Sequence, residues 1–103
     1  MSIPIDTIPL MVYSRLMSIA TRLAQLRAIS GLSQEELGRL AGLSPAYVGH
    51  IERGEGRPIA QNLAALARVL GCSLDWLVNE YGQPPTADHV QGSVVVARRV
   101  RHG

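Results

Sequence analysis

An all-α fold of five short helices is predicted by three features of this sequence. Apolar residues recur at three- and four-residue spacing through its middle, as in Leu63, Leu66, Ala67 and Leu70. Serines stand where helices should begin (33, 44 and 73) and glycines where they should end (42, 54 and 71). The core must be aliphatic: 47% of the 103 residues are apolar, yet Phe is absent and aromatics make up 4%, which leaves Leu, Ile, Val and Ala to fill one small core.

The first helix is expected over 18–29, with Ile19, Leu23 and Leu26 on one face. The second, 34–41, opens on a capping box, Ser33 with Glu36 three residues on, and turns Leu37, Leu40 and Ala41 inward. Gly42 supplies the left-handed residue that ends it. The third, 45–53, starts at a Ser44 hydroxyl cap with Pro45 in the first helical position, buries Val48 and Ile51, and stops at Gly54. The fourth, 60–70, carries the Leu63-to-Leu70 face, and the fifth starts at the Ser73 cap with Leu74 and Leu77 inward.

Helices two and three, joined by a short glycine turn, form a helix-turn-helix, whose second helix has the size to enter a DNA major groove. The order Arg27, Gly31-Leu32-Ser33-Gln34, Leu37 to Leu43, Tyr47-Val48, Ile51-Glu52-Arg53-Gly54, Pro58 and Leu63 to Leu77 resembles the phage-repressor/Cro-like (xenobiotic-response-element type) helix-turn-helix family. The resemblance covers about 18–79 and implies a five-helix repressor-like DNA-binding domain.

It further implies site residues. Gln34 would meet a DNA phosphate beside the free amides that open the second helix. The third helix would read bases from outward positions, with Ala46, Tyr47, Gly49 and His50 as candidate base contacts. Only Tyr47 and His50 of these can hydrogen-bond, and Ala46 can touch a thymine methyl. Related proteins often carry polar or basic side chains at these positions, so direct base readout here should be sparse and lean on water and DNA shape. Arg39, Ser44, Arg53 and Arg57 are, with Gln34, the candidate phosphate contacts. Arg27 and Glu52 would form a structural salt bridge tying the reading helix to the first helix. Gly38 would sit where the second and third helices cross. Trp76 is either core or, with Tyr81, a dimer contact.

Composition limits the alternatives. Lys is absent, and residues 18–80 balance six Arg against six acids, so the net +2 gives weak support for nucleic-acid binding and local placement must carry it. His50, His89 and His102 lack metal-ligand spacing, and one cysteine cannot make a zinc site. With no lysine-bearing phosphate loop and no catalytic constellation, neither an enzyme, a metal nor a cofactor is expected. The lone Cys72 forbids an internal disulfide and fits a reducing cytoplasm. Pro4, Asp6 and Pro9 interrupt the apolar N-terminus, which reads as no signal peptide, and no segment is long enough to span a membrane.

Three zones result: an extension, 1–17, a helix-turn-helix domain, 18–80, and a tail, 81–103, set off by Gly82 and Pro84-Pro85. Met17-Ser18 resembles a natural start. In the tail, 92–100 is rich in β-branched residues and reads as a strand, with Val94, Val95, Val96 and Val100 as candidate dimer contacts. Such a strand needs a partner, either 3–12 or the same segment of a second chain; the other reading is a disordered basic tail. The function implied is a sequence-specific transcriptional regulator, a repressor, bound as a homodimer to a palindromic operator on double-stranded DNA. The alternative is an antitoxin or other interaction module that keeps the fold and takes a toxin or another regulator as its partner.

Overall fold

A computed structural model describes residues 19–102 of the chain. The extension 1–17, with the suggested pairing segment 3–12, lies outside the described residues. The elements are α1 (19–30), α2 (Gln34–Ala41), α3 (Pro45–Glu52), α4 (Ala60–Leu70), α5 (Leu74–Asn79) and α6 (Ala87–His102). Among the described residues there is no strand, and no helix is long and apolar enough to cross a membrane.

Local chemistry sets most boundaries. The α2 capping box is complete: the Glu36 amide donates to Ser33 Oγ at 3.0 Å, and the Ser33 amide donates to Glu36 Oε1 at 3.0 Å. Gly42 ends α2 at φ 75°, and the Leu43 amide donates back to the Gly38 carbonyl at 2.7 Å. Ser73 caps α5 through the Trp76 amide at 3.0 Å. Ser44 occupies the α3 N-cap position, but its hydroxyl makes no cap bond, contrary to expectation. The Tyr47 amide that would reach it donates instead to the Ser44 carbonyl at 3.1 Å.

The core is aliphatic, as the composition requires. Leu23 and Leu26 of α1, Leu37 of α2, Val48 and Ile51 of α3, Leu66 and Leu70 of α4, and Leu77 of α5 are all buried in one cluster. The α2–α3 crossing is tight at Gly38. A Cβ there would lie 2.9 Å from the Ser44 carbonyl oxygen, so even alanine would force the backbone apart.

The tail is a helix and not the strand its valines suggested. Thr86 opens it, its hydroxyl accepting from the His89 amide at 3.1 Å, and Asp88 lies in its first turn. Val90 and Val94, four residues apart, enter the core at 0% and 2% exposure, with Ala97 packed beside them. Burial of one helical face thus overrides the weak helix propensity of valine. Polar contacts fix the same packing. Gln91 Nε2 donates to the Ile29 carbonyl at 3.2 Å, and Ser93 Oγ to the Arg68 carbonyl at 3.0 Å. Gly71, at φ 74°, lies under α6: a Cβ on it would stand 2.7 Å from Ser93 Cβ. The tail therefore closes the helical core and does not hang from it.

Candidate nucleic-acid interface

The α3 helix is held from behind by a charged network. Arg27 of α1 donates from Nε to Glu52 Oε2 at 2.6 Å and from Nη2 to Glu52 Oε1 at 3.0 Å, a bidentate pair. Its third nitrogen, Nη1, donates to the Leu32 carbonyl at 3.0 Å and so fastens the loop between α1 and α2. Gln34, the first residue of α2, donates from Nε2 to Glu52 Oε1 at 2.9 Å. One nearly buried carboxylate thus joins α1, α2 and α3. This junction therefore fixes the angle of α3 against the two helices behind it.

The outward side of α3 differs in part from expectation. Ala46 and His50 are exposed, and Tyr47 is half-buried against the core. Gly49 is buried. A Cβ on it would meet Gln34 Oε1 and Arg53 Nη1, each at 3.1 Å, so these two side chains cover the position that was expected to face a base. Ser44, Arg39 and Arg57 are exposed, and Arg57 lines a small cleft with Tyr47 and His50, while Gln34 is half-buried and bonded to Glu52.

A second network sits at the far end of α3. Gly54, at φ 72°, turns the chain back so that the Glu55 amide donates to the His50 carbonyl at 2.9 Å. The Glu55 side chain then receives Arg53 Nε on Oε2 at 3.0 Å and faces His50 Nδ1 with Oε1 at 2.7 Å. The bond from Arg53, followed by that from His50, holds the Glu55 carboxyl below the usual carboxylate range. The sequence singles out no role for Glu55; the backbone return that Gly54 allows is what brings it over His50.

Arg22 was also missed as a structural residue. It is 5% exposed, donates from Nε to the Leu77 carbonyl at 2.7 Å and from Nη2 to the Val78 carbonyl at 2.8 Å, and pairs with Glu80 at 3.2 Å. Its guanidinium stands 5.9 Å from the centre of the Trp76 ring, so half-buried Trp76 is occupied within its own chain. Tyr81 is exposed. Of the tail valines, Val94 is core and is closed to a second chain, while Val95, Val96 and Val100 remain on the surface. Burial pushes the Cys72 thiol up to about 11, which keeps it protonated and unreactive.

Two helices locked at a fixed angle, with one face of the second exposed among arginines, define a DNA-binding helix-turn-helix. The chain belongs to the helix-turn-helix family of the Cro/C1 type, a class of DNA-binding transcription regulators, and the family match spans residues 23–77. It is 36% identical to the uncharacterized HTH-type transcriptional regulator y4dJ of Sinorhizobium fredii over 67 residues, covering 65% of this chain and 87% of that protein. It is 34% identical to the control protein C.SmaI of Serratia marcescens over 64 residues, covering 62% of this chain and 76% of that one. No solved structure shows a significant match.

Proposed function

We propose that this protein is a sequence-specific repressor that acts in the cytoplasm as a homodimer on a palindromic operator, by binding and not by catalysis. The observation that carries this reading is the Arg27–Glu52–Gln34 junction. It fixes α3 from behind and leaves Ala46 and His50 exposed and Tyr47 half-buried, with Arg39, Arg53 and Arg57 also exposed. Such a unit reads a few base edges and takes its affinity from phosphates. Relatives described as a transcriptional regulator and a control protein support the regulatory sense. Repression is the simplest output of this unit, because occupancy alone excludes a polymerase.

Support for a dimer comes from the surface. Val96 and Val100 line a cleft with Leu40 and Val69, between α6, α2 and α4, and Val100 is 73% exposed. A second copy laid on this face would remove an apolar strip from water. Two reading helices set about 34 Å apart would then meet successive major grooves, which is the origin of palindromic sites.

The test is a gel-shift titration against the DNA upstream of the gene, with a scrambled duplex as control, at several salt concentrations. The expected result is preferential binding to the upstream duplex, with affinity falling steeply as salt rises, because releasing counterions into a more concentrated solution gains less entropy. Equal binding to both duplexes would overturn the sequence-specific reading.

A further inference from the structure

The ring of His50 has two nitrogens, and Glu55 has claimed one. Exposed ion pairs usually contribute little because two long side chains must be held together. This one is placed by the backbone: Gly54 reverses the chain and the Glu55 amide is bonded to the His50 carbonyl at 2.9 Å. Nδ1 of His50 lies 2.7 Å from Glu55 Oε1 and 3.3 Å from Arg53 Nη2. A guanidinium nitrogen only donates and a carboxylate only accepts, so a single ring nitrogen cannot satisfy both. The shorter contact decides: Nδ1 carries the hydrogen and gives it to Glu55. Arg53 satisfies itself on Glu55, through Nε at 3.0 Å and Nη2 at 3.3 Å.

In a neutral imidazole one nitrogen donates and the other accepts. With Nδ1 committed as donor, Nε2 is left as an acceptor, and among the described residues it has no partner. In a major groove an acceptor pairs with the exocyclic amines, adenine N6 or cytosine N4, and is repelled by guanine O6 and N7 and thymine O4. A proton added to the ring turns Nε2 into a donor and reverses that choice toward guanine.

We infer that Glu55 is a positioning residue for base recognition: by fixing the His50 tautomer it makes neutral His50 select adenine or cytosine, and protonated His50 select guanine. The inference rests on the DNA reading proposed above. The charged and titratable groups around the imidazole are Glu55 and Arg53, with Tyr47 and Arg57 lining the same small cleft.

Two readouts on the full chain test this. Nitrogen-15 correlation spectra of the histidine rings, taken without DNA at about pH 8, should show His50 with its hydrogen on Nδ1. Glu55→Ala should move hydrogen to Nε2, and Glu55→Gln should give a mixture. Enrichment of binding sites from a randomised duplex pool should then show one position favouring adenine or cytosine by roughly tenfold at about pH 8, turning to guanine near pH 5.5. Glu55→Ala should flatten the pH 8 preference, and His50→Ala should remove it at both pH values. Hydrogen on Nε2 in the wild type overturns the inference. So does a Glu55→Ala protein that keeps a preference which His50→Ala abolishes. If the wild type enriches no sequence while its ring hydrogen sits on Nδ1, the DNA reading itself has failed and the base choice goes with it.

Discussion

Gln34 and Glu52 are joined by a 2.9 Å hydrogen bond across the helix-turn-helix, so the side chain expected at a DNA phosphate is also part of the junction that holds α3. The same carboxylate takes both ends of the Arg27 fork at 2.6 and 3.0 Å. Glu52 is nearly buried, and its side chain is 8% exposed. Removing it leaves a guanidinium and an amide without their acceptor. Glu52→Ala should therefore lower unfolding free energy by about 3 kcal/mol. Glu55→Ala, at an exposed turn, should leave the chemical-denaturation midpoint close to that of the wild type. Equal midpoints for the two variants would mean that the junction does not stabilise the fold.

Arg22 makes a separate prediction. It supplies the donors for the last carbonyls of α5, which no following helical turn can supply. Arg22→Met keeps the length of the stem but strands two acceptors in a buried place. The expected loss is about 2–3 kcal/mol. Arg22→Lys should recover little, because an ammonium lacks the planar fork that reaches both oxygens. Thermal unfolding followed by Trp76 emission checks this, since the guanidinium lies over that ring.

Acid should loosen the start of α2. The amide of Ser33, and after it the Ser33 hydroxyl and the charges of Arg98 and Arg39, hold the Glu36 carboxyl below its ordinary value of 4.5. A carboxylate whose folded value is depressed contributes its stability above the unfolded value and loses it as pH falls through the folded one. The wild type should thus lose stability below about pH 4.5 faster than Glu36→Gln, whose amide oxygen still accepts from Ser33 at every pH. Parallel midpoint-against-pH curves for the two proteins would contradict the assignment.

The helices of the recognition unit were legible because their signals are local. Ser33 with Glu36, Gly42, Gly71 and the Leu63-to-Leu70 face each act within one turn of chain, and α2 and α4 fall at the expected residues. The sixth helix was not legible, because its cause is tertiary. Val90 and Val94 gain from a core surface that α1, α2 and α4 create, and no local preference of a valine-rich segment reports that surface. The buried Gly49 and the bridging Glu55 were hidden for a similar reason. Helical periodicity puts Gly49 outward but says nothing of the Gln34 and Arg53 side chains that fold over it, and a turn acid carries no mark of where Gly54 sends it.

The tail valines divide into two classes that one pair of experiments separates. Val90 and Val94 are buried in the chain's own core. Truncating either to alanine removes buried methyl groups and should cost about 2 kcal/mol, seen as a lower melting midpoint. Val96 and Val100 are 58% and 73% exposed. Val96→Ser together with Val100→Ser should leave the melting midpoint of the single chain nearly unchanged, because little area is lost from the core. If the cleft they line with Leu40 and Val69 receives a second copy, that double variant should sediment as a monomer where the wild type sediments as a dimer. Its operator affinity should fall with the lost pairing, while its binding to a single half-site stays as it was. Deleting the tail after Gln83 would not serve, since that cut also strips Val90 and Val94 from the core and would confuse unfolding with dissociation. A double variant that remains dimeric would place the subunit contact elsewhere, with exposed Tyr81 after α5 as the next surface to alter.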